Sequence, residues 1–237
     1  MMLDTLKTRQ RESEWMDDPD ADPQQLAKSL RFIRQINAAL GYTRSTIAHL
    51  DRLVRTHSPN GPITVLDVAT GSADVPLAAV RWAQAQRLDL QVVAIDLHPN
   101  VARVAAENVG DQIRVVQADA RRIPLADAAV DYAMTSMFLH HLDEDAVLQV
   151  LREMNRVARR GVIISDLIRT RRAYVWISLF TMLANPMVRH DARVSVRQAF
   201  APDEILALCR QAGLGYLRYH EHFGHRFVLA GERPIQA

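Results

Sequence analysis

From residue 63 to residue 166 the chain alternates between short apolar runs and stretches whose apolar positions recur every three or four residues. The runs ITVLDV (63–68), LQVVAID (90–96), IRVVQAD (113–119), VDYAMTSMF (130–138) and GVIISD (161–166) predict strands. Such short, nearly continuous apolar runs suit a parallel sheet covered on both faces. Between them, the segment from Asp74, PNVARVAAEN (99–108) and Asp143 to Ala158 predict helices; Pro99 suits a first turn, and Val147, Val150, Leu151 and Met154 share one face. A helix over 203–212 and two strands, YLRYHEH and RFVLAGE, end the pattern. Ahead of it, Leu26, Leu30 and Ile33 line one helix and Ile47, Leu50 and Val54 a second. Gly41 is placed to end the first, and the turn SPNGP (58–62) closes this preface. The expected fold class is therefore α/β, a mostly parallel sheet with helices on both faces. Residues 1–23 are expected to be a flexible N-terminus, 24–60 a helical cap, and 61–237 the main domain with an insertion at about 169–200.

Composition narrows the class. The 237 residues are 49% hydrophobic and 24% charged, with a formal net charge of +2, which argues against a nucleic-acid partner. Cys209 is the only cysteine and falls with Ile205, Leu208 and Ala212 at helical spacing, so it reads as a core residue. The N-terminus lacks the apolar core of a signal peptide, which favours a cytoplasmic protein. AYVWISLFTMLANPMV (173–188) has no charge, yet it is shorter than the ~20 residues that span a bilayer. It predicts a buried or lid helix, and leaves open a lipid-like substrate, a peripheral membrane contact or a homodimer face. His220 and His222 have chelating spacing, but no carboxylate or cysteine pattern surrounds them. No metal is expected, and Asn185-Pro186-Met187 reads as a turn.

In such sheets ligands bind beyond the carboxyl ends of the strands, here Asp67 to Ala73, Asp96, Asp119, Ser136 to His141, and Asp166. The first of these, VLDVATGSADVP (65–76), has the shape of a nucleotide-binding turn. Asp67 before the loop and Asp74 at the helix start would repel a pyrophosphate, and Gly71 is followed by Ala73 instead of a third glycine. S-adenosylmethionine carries no phosphate, and its ammonium and sulfonium are drawn to carboxylates. Gly71 supplies the close backbone approach, Asp96 is placed for the ribose hydroxyls, and Asp119-Ala120 for the adenine. Ala69 and Ala73 each add one methyl, which crowds little if their φ stays negative.

These residues resemble the class I S-adenosylmethionine-dependent methyltransferases, nearest to the ubiquinone/menaquinone-biosynthesis type and related small-molecule enzymes. VLDVATGSAD is similar to their first motif, VVAID to the second, and QADARRIPLADAAVDYAMTS to the third and fourth. NAALGYTR (37–44) and SVRQAFAPDEILALCRQAGL (195–214) extend the likeness. The resemblance implies a Rossmann-like seven-stranded sheet with an inserted helix after strand 5. It also implies a cofactor site of Asp67, Ala69, Thr70, Gly71, Asp96, Leu97, Asp119, Ala120 and Ser136, with Arg44, and S-adenosylhomocysteine as product.

His140-His141 stands where the quinone enzymes carry an Arg-Asn pair. A phenol with a pKa near 10 attacks better with a base beside it, and an imidazole suits that role. His140 or His141 is the candidate catalytic base, and Asp166 a support or a substrate contact. Arg193, Ser195 and Arg197 are candidates for gripping an acceptor oxyanion. The sequence favours methylation, at oxygen slightly over carbon, of a small, fairly apolar aromatic, phenolic, quinone-like or polyketide acceptor. A protein or RNA methylase and a non-catalytic cofactor-binding partner are the other readings.

Overall fold

The computed structural model describes residues 6–15, 28, 31, 32, 35, 40–56 and 61–234. Leu26, Leu30 and Ile33, the face expected of a first helix, lie outside the described residues. The second helix is present as α1 (Tyr42–Thr56), which buries Ile47, Leu50 and Val54.

A seven-stranded sheet follows, formed by β1 (Ile63–Val68), β2 (Leu90–Asp96), β3 (Arg114–Gln117), β4 (Val130–Ser136), β5 (Ala158–Leu167), β6 (Arg218–His222) and β7 (Arg226–Glu232). Their order is β3-β2-β1-β4-β5-β7-β6. The first five are parallel, and β7 lies antiparallel between β5 and β6. Side chains alternate across each strand. Ile63 and Val65 therefore meet Leu50 of α1, Ala79 of α2 (Asp74–Gln86) and Ala105 of α3 (Pro99–Val109) on one face. Leu66 and Val68 meet Val147, Val150, Leu151 and Met154 of α4 (Glu144–Val157) on the other, with Ile205 and Cys209 of α7 (Pro202–Gln211). The apolar face expected of α4 is fully buried. Burial also pushes the Cys209 thiol up to about 12, as befits an inert core residue.

β5 runs longer than GVIISD at both ends, because Ala158 pairs with Val130 across a bulge and Leu167 with Arg226. β3 is shorter than expected, and Asp119 falls in the turn beyond it. The apolar insertion differs most. In place of one covered helix it forms α5 (Arg171–Phe180) and α6 (Pro186–Gln198). Asn185 caps α6 by accepting from Val188 N at 2.9 Å and Pro186 takes the first turn, so Asn-Pro-Met begins a helix. Of α5 only Ala173 and Tyr174 are buried, while its Val175, Leu179 and Phe180, and Met182 and Leu183 just beyond its end, are exposed. No helix among the described residues is long and apolar enough to cross a membrane.

Candidate active site

The loop between β1 and α2 is tied to β2. Thr70 N donates to Ile95 O at 3.0 Å and Gly71 N to Asp96 Oδ2 at 3.0 Å. The condition for easy accommodation of Ala69 and Ala73, negative φ, is not met: they stand at +56° and +60°, beside Gly71 at +56°. Turning this tightly over the strand end requires left-handed backbone at all three positions, at a cost of roughly 1–2 kcal/mol for each alanine. A Cβ placed on Gly71 would meet no atom within 4 Å. Open space beside a carbonyl-and-amide turn is what a nucleoside needs.

Asp67 is only 2% exposed. Burial, with the Asp74 and Asp96 carboxylates adding to it, lifts its carboxyl to about 7. Asp96 also accepts from His98 N at 3.0 Å, which fixes its carboxylate at the strand end beside Gly71. Of the other cofactor candidates, Ala120 is buried and Ser136 is half-buried at the end of β4. Leu97 is exposed, while the Arg121 guanidinium clasps Asp119 at 2.8 Å and holds its carboxyl below the usual range. Arg44 is exposed in the first turn of α1, and no hydrogen bond joins it to the loop. A phosphate-free, cationic nucleoside fits this constellation of open turn and unneutralised carboxylates.

Beyond β4 the backbone turns through Met137 at φ +58° into a one-turn 3-10 helix, Leu139–His141. That turn brings His140 against Asp166 at the end of β5. Asp166 Oδ1 lies 2.6 Å from His140 Nδ1, its Oδ2 accepts from His140 N at 3.2 Å, and Oδ1 also accepts from Leu167 N. Burial alone would raise Asp166, but the His140 imidazole and these donors hold it below the usual carboxylate range. An ionised Asp166 fixes the proton on Nδ1 of His140 and turns Nε2 inward as the acceptor. Both residues are buried, while His141 is half-buried with its ring 4.2 Å from that of His140. The structure thus joins two of the three catalytic candidates in one hydrogen-bonded pair.

A residue the sequence reading missed completes the site. Residues 6–15, expected to be flexible, form a strap over the carboxyl end of the sheet. Arg9 Nη2 donates to His140 O at 2.8 Å and to Leu142 O, and its Nε to Gln198 O. Glu14 is buried, with Oε1 3.9 Å from His140 Nε2 and 4.0 Å from His141 Nδ1, and it accepts from Ser195 Oγ. Trp15 N donates to Asp191 Oδ1 at 2.9 Å, and its ring stacks on His190. Ser195 and Arg197 of α6 contact this strap, and Arg193 lies on the same helix. A charged stretch without periodicity gives no sequence signal for such packing. Glu14, His140 and His141 are also the one group among the described residues whose donors, all within 4.8 Å, could chelate a cation. The terminal histidines do not form such a group; His49 Nε2 instead meets His222 Nε2 at 3.0 Å, and burial lowers His49 to about 4.

Residues 66–165, which run from β1 to β5 and carry the loop, the 3-10 turn and all but the last residue of the Asp166–His140 pair, match the methyltransferase domain family. The chain carries a methyltransferase domain over these residues. Over 176 residues it is 26% identical to a demethylmenaquinone methyltransferase of Porphyromonas gingivalis, covering 70% of each chain. A SAM-dependent methyltransferase from Aquifex aeolicus superposes with a TM-score of 0.57 at 21% identity, over 84% of this chain and 96% of that one. A structure described as PigF with SAH gives a TM-score of 0.64 at 20% identity, over 94% of this chain and 63% of that one. The chain shares the fold of these two structures.

Proposed function

We propose that the chain methylates a hydroxyl of a small, fairly apolar acceptor, aromatic, phenolic, quinone-like or polyketide, with His140 as the base. The observation that carries this is the Asp166–His140 pair, which engages Nδ1 and leaves Nε2 as the ring nitrogen that can take a proton. Asp67, Asp96, Gly71 and Ala120 would hold S-adenosylmethionine, with Thr70, Ala69, Leu97, Asp119, Ser136 and Arg44 around them. The bound nucleoside supplies an electrophilic methyl on a sulfonium that leaves as a neutral thioether. His140 Nε2 takes the acceptor hydroxyl's proton as oxygen attacks, and Asp166 stabilises the imidazolium formed. His141, its ring tilted against that of His140, helps orient the acceptor. Arg193, Ser195 and Arg197 lie on the acceptor side. The test is turnover of a phenol panel with labelled methyl donor. A His140→Ala chain that binds S-adenosylhomocysteine normally yet keeps full turnover would remove His140 from its role.

Carbon methylation of a quinone-type acceptor is the second reading, favoured by the likeness to the demethylmenaquinone enzyme. Product analysis separates an ether from a ring methyl.

An apolar acceptor also accounts for the exposed face of α5. Trp176 contacts Phe180 and Phe223, joining Val175, Leu179, Met182, Leu183 and Phe223 into one apolar surface. Arg171, Arg172 and Arg189 are exposed beside it, and no acid occurs from 170 to 190. Such a face suits peripheral contact with an anionic lipid surface where a lipid-like acceptor resides. Vesicles containing anionic lipid should carry the protein on flotation, and Leu179→Asp/Leu183→Asp should abolish this. A homodimer through the same face would instead appear as a concentration-dependent mass that the variant lowers.

A further inference from the structure

Glu12 and Glu14 of the strap reach the groups on α6 that suit an acceptor's negative oxygen. Arg197 Nη2 donates to Glu12 Oε2 at 2.5 Å, and Ser195 Oγ donates to Glu14 Oε1 at the same distance. His140 Nε2 and His141 Nδ1 stand 3.9 and 4.0 Å from that Glu14 oxygen, whose side chain is 3% exposed. The Nε–H groups of Arg193 and Arg197 are buried without a hydrogen-bond partner. A deeply buried carboxylate is tolerated only where a donor meets it, and the Ser195 hydroxyl supplies one to Glu14 while Arg197 meets Glu12. The seat is built for an anion. A shared transition-metal ion with bonds near ~2.1 Å would draw its ligand atoms to about 3–3.5 Å from one another. These stand farther apart, and the Ser195 hydroxyl already donates to the carboxylate.

The strap that brings this carboxylate is held mostly by polar contacts. Arg9 grips carbonyls and lies over Phe200, Trp15 stacks on His190, and Leu6 is the strap's only buried apolar residue. Its removal would uncover Leu6 and Phe200 but leave α1 to α4 and α7 packed against the sheet.

We propose that Glu14 is a tethered stand-in for an oxyanion of the acceptor itself. The acceptor is then a small aromatic or polyketide hydroxyl compound that also bears a carboxylate or acidic enolate. On binding it displaces the strap and takes over Ser195, His141 and Arg197. This rests on the function proposed above and specifies the acceptor class of that same site.

The test titrates the full chain, with S-adenosylhomocysteine present, with 2,4-dihydroxybenzoate and with neutral resorcinol. The wild type should bind the carboxylate about tenfold more tightly than resorcinol. Glu12→Gln/Glu14→Gln should gain about another tenfold for the carboxylate alone, because its intramolecular competitor is gone. Ser195→Ala/Arg197→Ala should lose the preference. Trp15 emission should change on carboxylate binding, with Trp15→Phe as the blank for Trp82 and Trp176. Equal binding of the two probes by the wild type and the glutamine variant, or unchanged Trp15 emission, would overturn the proposal. So would Glu14-dependent binding of Zn²⁺ without carboxylate preference. Absence of S-adenosylhomocysteine binding would instead sink the methyltransferase reading, whereas its binding without carboxylate preference sinks this inference alone.

Discussion

Asp131 and Asp67 sit on adjacent strands at opposite ends, and each is 2% exposed. At the amino end, Asp131 accepts from Thr64 N and Oγ1, from Arg159 at 2.8 Å and from Arg160 at 2.6 Å. Burial would raise its carboxyl, but these donors win and hold it at about 2. At the carboxyl end, Asp67 has Asp74 and Asp96 as its charged neighbours and rises to about 7. Residue type and surface exposure are the same, but Asp67 is enclosed more deeply, so depth and company together separate them. A satisfied aspartate is part of the scaffold. An aspartate left short of positive charge marks where a cationic ligand completes the site.

The comparison breaks first at the site itself. Asp166→Asn should lower turnover by about 10²–10⁴-fold, since the Nδ1 tautomer of His140 is no longer fixed. S-adenosylhomocysteine affinity should hold, and calorimetry checks it. Retained turnover would place Asp166 among the scaffold residues with Asp131.

Asp67 gives a pH signature. Its folded pKa is raised above 3.8, so the free protein loses stability as pH climbs from about 4 through about 7. A bound ammonium favours the ionised form, so the thermal shift produced by S-adenosylmethionine should grow as pH rises toward 7. Asp67→Asn should flatten that rise. At the other end the sign reverses. The low pKa of Asp131 contributes stability above 3.8 that fades as pH falls toward 2. Asp131→Asn should cost about 2 kcal/mol in urea denaturation and leave kcat unchanged, because Asp131 touches neither the loop nor His140.

The smallest effect concerns the loop backbone. Ala73 is fully buried at φ +60°. Ala73→Gly removes the left-handed penalty but adds unfolded-chain entropy, so a net gain of about 0.5–1 kcal/mol is expected by thermal denaturation. A loss would mean that the methyl's packing against the α1–α2–α3 core outweighs the strain.

The alternation of apolar runs with helical spacing made the sheet legible, because strands covered on both faces must be apolar throughout. ITVLDV, LQVVAID and RFVLAGE appear as strands with the bounds read from sequence. Asp67, Gly71 and Asp96 were legible as well, since strand ends and a tight turn fix them locally. The strap was not. Glu14 meets Ser195 across a sequence separation of 181, and nothing in a charged stretch announces a partner so distant. The exposure of α5 was equally hidden, because apolar composition gives the tendency to be covered and not the presence of a cover.

The sequence by itself determined the order of elements, the carboxylates at the strand ends and the candidate base, because period and turn chemistry are local properties. Tertiary structure decided which carboxylates are neutralised, that Ala69 and Ala73 pay for a left-handed turn, and that Glu14 closes over His140. Those outcomes depend on distances between segments far apart in the chain. Burial and charge act through space, and a linear order of residues does not contain it.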